Sequence, residues 1–243
     1  GFILIQLVWR LADNAVPAFN ELHARGDHGA IAANLLRVGR YTLVLALGVG
    51  TGILLFNRTV VTLWVGDAQY AGTLMTASLA AFAVLAIVNH LLASLLVVYG
   101  RVMWLSIASF AFGTVNVASS FVLGRRYGVG GVMLASALAE VVGTLLFLPQ
   151  VTRLTGLRAA DVHRAVLRPA LLAYAAVTPV LVAAALRAGR GAPPLADLAL
   201  AAAYALLWCA GVWYLGMSPP ERREARDMLL RARSRVRSVT SEG

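Results

Sequence analysis

The chain is 243 residues long, 60% hydrophobic and only 13% charged, with a mean hydropathy of +0.77. Soluble domains sit nearer half apolar and a quarter charged, so this composition excludes an ordinary soluble domain and points to an all-α integral membrane protein. The net charge of +10 rests on 21 basic residues, every one an arginine, a bias that fits a high-GC bacterial genome. The single cysteine, Cys209, excludes an intramolecular disulfide or a thiolate metal site, and His23, His28, His90 and His163 lack ligand spacing. No metal, cofactor or nucleic-acid partner is called for.

A bilayer-crossing helix needs about 20 mostly apolar residues. Such stretches lie near 1–19, 41–57, 72–98, 102–123, 130–151, 168–187 and 196–216, which predicts about seven transmembrane helices. Lipid satisfies no free backbone group, and long apolar runs lack the alternation of a β-barrel.

The first span is not a plain anchor. At 100° per residue, Gln6, Arg10, Asp13, Asn14, Pro17, Asn20 and Glu21 fall within about a third of the helix circumference. A charge at membrane depth costs several kcal/mol or more, so this stripe must face protein or a water-filled cavity. Two arrangements satisfy it. Arg10 and Asp13 neutralise each other and bridge helices, or Gln6, Arg10, Asp13, Asn14 and Asn20 line a water-filled cavity. Pro17 either kinks the helix or marks where the span meets the interface.

The second span carries Gly48 and Gly52, a pair that lets helices approach closely. In the third, Asn89 and His90 read as hydrogen-bonded interior residues. Arg101 marks a tight turn that makes the third and fourth spans antiparallel neighbours. In the fourth, Ser106, Ser109, Gly113, Asn116 and Ser120 share a narrow face that predicts close helix packing rather than a substrate surface. In the fifth, Ser136, Glu140, Gly143 and Thr144 share a face. Glu140, near mid-membrane, is the candidate for ion coupling or for pairing with an arginine; the alternative is an acid bonded to a neighbouring helix. Turns are expected near Gly66, Gly100, Gly128 and Pro193-Pro194.

Residues 154–169 read as an interfacial elbow feeding the sixth span. Residues 218–238 predict an amphipathic helix with Ser218 as N-cap, Pro219 and Pro220 at the first helical positions, and Glu221 and Glu224 in the first turn. Its arginines lie on anionic lipid headgroups or remain a solvated positive tail. The chain thus divides into 1–151 with five spans, 152–216 with the elbow and two more, and a basic tail at 217–243.

Arginines orient the bundle. Arg25, Arg37, Arg40, Arg101, Arg153, Arg158, Arg164 and seven tail arginines fall on one side, against Arg58, Arg125, Arg126 and Arg190 on the other. The positive-inside rule makes the first side, and the C-terminus, cytoplasmic. An odd span count then places Gly1 outside. With no initiator methionine or basic signal region ahead of it, a missing upstream portion is expected.

"VPAFNELHARGD" (16–27) followed by a basic segment and a new span resembles the start of the second lobe's cytoplasmic loop in polysaccharide exporters. "LLASLLVVYGRVMWL" (91–105) and "RRYGVGGVMLASALAEVVGTLLFL" (125–148) resemble the same family's later hairpins. The family is that of bacterial O-antigen and polysaccharide flippases, within the multidrug/oligosaccharidyl-lipid/polysaccharide exporter superfamily. The resemblance implies two six-helix lobes around a cavity that opens alternately to each side, often with two extra C-terminal helices. This chain would supply most of the second lobe plus those two helices, and its missing N-terminal lobe would be its partner. It further implies transport of a polyprenyl-pyrophosphate-linked saccharide across the bacterial cytoplasmic membrane, with Arg10 facing the pyrophosphate, Gln6, Asn14 and Asn20 the sugar, and membrane lipid the polyprenyl tail. No covalent chemistry, and hence no enzyme, is expected. Two alternatives stand beside it. An ion-coupled multidrug exporter of the same superfamily would draw on Glu140. A polyprenyl-phosphate-dependent glycosyltransferase would need an acidic cluster on an outer loop, where Asp67 and Asp197 stand singly.

Overall fold

The computed structural model describes residues 2–187 and 194–227. All regular structure among them is helical. Helix α1 (Phe2–Ala24) continues through Pro17, and the chain turns only over 25–27 before α2 (His28–Val65) begins. Asp27 caps α2, its carboxylate accepting from the Ala30 N–H at 2.9 Å. The stretch 20–40 between the first two expected spans is therefore mostly helix. At about 1.5 Å per residue, the 38 residues of α2 span about 57 Å, nearly twice a hydrocarbon core of about 30 Å. Arginine is a good helix former, so the basic residues Arg37 and Arg40 continue the helix beyond the apolar stretch.

A 3-10 turn (Asp67–Gln69) leads to α3 (Gly72–Val98). The stretch Val102–Thr155 is helical but for Gly128, whose φ of 60° and ψ of −143° are open essentially to glycine alone. It divides into α4 (102–127) and α5 (129–155). The two arms fold back on each other: the rings of Phe112 and Phe147 lie 6.3 Å apart, where a straight helix would separate them by about 52 Å. A β-carbon on Gly131 would sit 2.0 Å from the Leu123 carbonyl oxygen, and one on Gly130 would sit 3.2 Å from Leu74. The Tyr-Gly-Val-Gly-Gly sequence is thus the device of a tight helical reversal. Gly66 and Gly100 also turn the chain at positive φ, as expected.

The expected single span at 168–187 is bent. Helix α6 (Ala159–Ala175) includes a π-helical turn at His163–Leu167 and meets α7 (Thr178–Arg187) at 49°. Pro179 has no N–H to give the Ala175 carbonyl, and its ring crowds that oxygen, so the ladder opens at 176–177. Helix α8 (Pro194–Gly211) continues into a π-helical turn, Val212–Gly216, and α9 occupies 219–227. Of the expected Pro193-Pro194 turn only Pro194, the first residue of α8, is described, and the tail helix beyond 227 lies outside the described residues.

Four stretches are long and apolar enough to cross a membrane: His28–Val65, Gly72–Val98, Val102–Thr155 and Ala199–Gly216. The bent α6–α7 pair makes a fifth if it is one span. α3 is apolar all round because it has neighbours on several sides, packing on α1, α2 and the α4–α5 hairpin. One core joins Phe19, Ile31, Leu95 and Phe147; a second joins Ile5, Val8, Ala46 and Ile87. A third holds α6–α7 and α8 to α2 through Ala173, Val177, Tyr204, Trp208 and Val44. On the outside, Phe110 is 79% exposed, Met103 77% and Val117 74%, a surface compatible with contact to lipid tails.

Candidate functional site

α1 is two-faced. Ile5, Val8, Ala12 and Phe19, at helical spacing, are buried against α2 and α3. The opposite face carries Gln6, Arg10, Asp13, Asn14, Pro17, Asn20 and Glu21, all exposed on the surface of this chain. From Gln6 to Glu21 the stripe runs about 22 Å along the helix.

Its charges are not arranged as a neighbouring pair. Asp13 Oδ1 lies 2.8 Å from His90 Nε2 on α3, and not with Arg10. A carboxylate only accepts, so Nε2 carries the proton. The His90 ring stacks on Trp9 at 4.6 Å and 14°, which fixes its orientation. Glu21 pairs with Arg25 one turn on. Arg10 has no ion-pair or hydrogen-bond partner among the described residues, and neither do the side chains of Gln6, Asn14 and Asn20. The stripe is therefore an open polar face with an uncompensated guanidinium.

Glu140, on α5, is tied to α3. Asn89, 5% exposed, donates through Nδ2 to Glu140 Oε2 at 2.7 Å and to the Glu140 carbonyl at 2.8 Å. Thr144 Oγ1 donates back to Asn89 Oδ1 at 2.8 Å. Gly143 permits this, since a β-carbon there would lie 3.0 Å from Asn89 Nδ2. Among the described residues Glu140 has no arginine partner. Successive residues of α3 thus reach in different directions, Asn89 to α5 and His90 to α1.

The small-residue faces behave differently. Gly48 and Gly52 do bring α2 against α8, and the Tyr204 hydroxyl donates to the Gly48 carbonyl at 2.8 Å. On the α4 face expected to pack, a β-carbon on Gly113 would meet nothing within 4 Å among the described residues. Its hydroxyls turn inward instead, Ser106 to the Val102 carbonyl at 3.0 Å and Ser120 to Asn116 Oδ1 at 3.0 Å.

A third polar cluster clamps α9 to α2. Glu221, 8% exposed, accepts from Arg40, meets Arg37 Nε at 3.3 Å and accepts from the Ser218 N–H at 2.7 Å. Glu224 pairs with Arg37. Burial alone would raise the Glu221 carboxyl, but the Ser218 hydrogen bonds and the Arg40 charge outweigh it and hold it below the usual glutamate range. The start of the tail is therefore a docked helix, not a freely solvated segment.

Sequence reasoning placed the stripe and Glu140 but not the pairs that use them. Asp13 and His90 are 77 residues apart, and Arg40 and Glu221 are 181 apart. No local pattern links such residues. No family model, no curated protein and no solved structure matches the chain.

Proposed function

We propose that this chain is one lobe of a flippase that moves polyprenyl-pyrophosphate-linked saccharides across a bacterial cytoplasmic membrane. One observation carries the reading: the open polar face of α1, with Arg10 uncompensated on it, beside helices that are apolar to lipid. Facing hydrocarbon, that stripe would cost several kcal/mol or more, so a second body covers it and a polar cavity lies between the two. We count seven crossings: α1, α2, α3, the two arms of the hairpin, the bent α6–α7 pair and α8. The arginine distribution then puts the C-terminus in the cytoplasm.

The chemistry follows from the residue types. A pyrophosphate entering the cavity loses hydration, and the forked donors of Arg10 match its oxygens. Gln6, Asn14 and Asn20, one to three turns along the same face, offer donors and acceptors suited to sugar hydroxyls. The polyprenyl tail stays in hydrocarbon throughout. Alternation of the two lobes around the site moves the head group, with no bond made or broken. An exporter of organic cations would need a carboxylate open to substrate, whereas Glu140 is engaged by Asn89, Asp13 by His90 and Glu21 by Arg25.

The test is flipping of a fluorescent lipid-linked sugar in vesicles by the two-lobe protein carrying Arg10→Ala or Arg10→Lys. One lost charged hydrogen-bond donor at about 1.5–3 kcal/mol predicts a loss of about 10- to 150-fold for alanine, with partial activity for lysine. Normal transport by the alanine variant at equal abundance overturns the proposal.

A further inference from the structure

The clamp that docks α9 sorts its charges. On a helical wheel at 100° per residue, Glu221 and Glu224 fall on one side, facing Arg37 and Arg40 of α2. Arg222, Arg223 and Arg226 fall within about 100° on the opposite side, where those acids do not reach them. Asp227 sits at the edge of this arc and makes no ion pair among the described residues. The acidic half of the helix is consumed by α2, and the basic half is left over.

That basic half borders an open surface depression. Among the described residues Pro219, Arg222, Arg223 and Arg226 line it, over a volume of about 280 Å³. Arg222 Nε is buried without a hydrogen-bond partner among the described residues. The Arg226 guanidinium lies 5.8 Å from the ring of Trp213, in the last turn of the α8 span. Continued along the α8 axis, α9 would carry the Arg226 Cα about 20 Å from that of Trp213, beyond the reach of the two side chains. The helix therefore lies across the end of the span, at the level where tryptophans and arginines meet headgroups.

We propose that the Arg222, Arg223 and Arg226 face of α9 is a binding site for the phosphate of an anionic lipid headgroup, presented by the Glu221–Glu224 clamp to α2. Guanidinium forks fit phosphate oxygens, and the site sits where a headgroup arrives without leaving its leaflet. Which leaflet this is rests on the orientation proposed above; the binding itself does not. Retention of lipid is read without any transport assay, so its failure and the failure of the flippase reading are separable.

The test titrates the purified chain in detergent with phosphatidylglycerol or phosphatidylcholine and counts bound lipid by native mass spectrometry. R222Q/R223Q/R226Q should weaken phosphatidylglycerol retention about a hundredfold, from the loss of three arginines at an anionic headgroup. R231Q/R233Q/R235Q removes the same charge further along the tail and should weaken it less than about tenfold. Equal losses in the two variants, or equal retention of phosphatidylcholine, would mean diffuse attraction and overturn the site. E221Q/E224Q raises the net charge by two, so diffuse attraction predicts tighter binding; release of the clamp predicts weaker binding, and a gain overturns the proposal. Inorganic phosphate at matched concentration should displace no lipid. Displacement would assign the site to the free ion instead.

Discussion

Gly48 and Gly52 stand one turn apart on the same face of α2, and the structure assigns opposite signs to their alanine variants. A β-carbon on Gly48 would lie 2.7 Å from Trp208 Cε2 and Nε1 and 2.9 Å from Cζ2. The indole has little room to retreat, because it stacks on Tyr204 at 6.2 Å and meets Tyr174 edge-on at 6.5 Å. Overpacking of this kind costs about 1–3 kcal/mol. Displacing α8 also strains the bond from the Tyr204 hydroxyl to the Gly48 carbonyl, worth about 1 kcal/mol. Against this, alanine gains about 1 kcal/mol of helix propensity. Overpacking wins, and Gly48→Ala should destabilise by about 1–3 kcal/mol. On Gly52 the same atom would sit 3.9 Å from Tyr204, an ordinary contact, so only the propensity gain remains. At about 2–4 °C per kcal/mol for a domain of this size, Gly48→Ala should lower the midpoint in detergent by about 2–12 °C. Gly52→Ala should raise it by up to about 4 °C. Scanning fluorimetry reads both. Shifts of the same sign would refute the close approach of Trp208 to Gly48.

Other outcomes follow from the polar clusters. Asn89→Leu should destabilise by about 1–3 kcal/mol, by removing the donor to Glu140 and the acceptor for Thr144. Combined with Glu140→Gln in a double-mutant cycle, it should show a coupling of roughly 0.5–2 kcal/mol, and strict additivity would deny the link. The Glu221 carboxyl is held below the usual range in the folded chain, so its contribution is complete above the ordinary glutamate pKa of about 4.3. That contribution is lost only as pH falls through the lowered value. The distance between spin labels at Asn34 and Asp227 should therefore stay narrow through pH 5 and broaden at lower pH. In Glu221→Gln it should be broad at every pH, and release above pH 5 in the unmodified chain would contradict the clamp.

The sequence by itself determined that the chain is helical and rich in apolar spans, where it reverses, and that one helix carries a polar stripe. These are local properties. A 3.6-residue period assigns faces to a single helix, and a reversal such as Gly128 needs a backbone conformation that only glycine adopts freely. The break before Pro179 was equally local, yet an apolar run hides it because hydropathy does not register a missing N–H. The length of α2 was hidden for the converse reason: Arg37 and Arg40 end an apolar run without ending a helix. Tertiary structure alone decided the partners. Asp13 meets His90 because α1 packs on α3, Glu140 meets Asn89 because α5 folds back beside α3, and Glu221 meets Arg40 because α6–α8 dock on α2. It also left Arg10 without a partner among the described residues, and turned the acids Glu221 and Glu224 of α9 to α2 and its arginines away from it. Pairing across tens to hundreds of residues is set by which helices touch, and that depends on whole packed faces, which no short window of sequence contains.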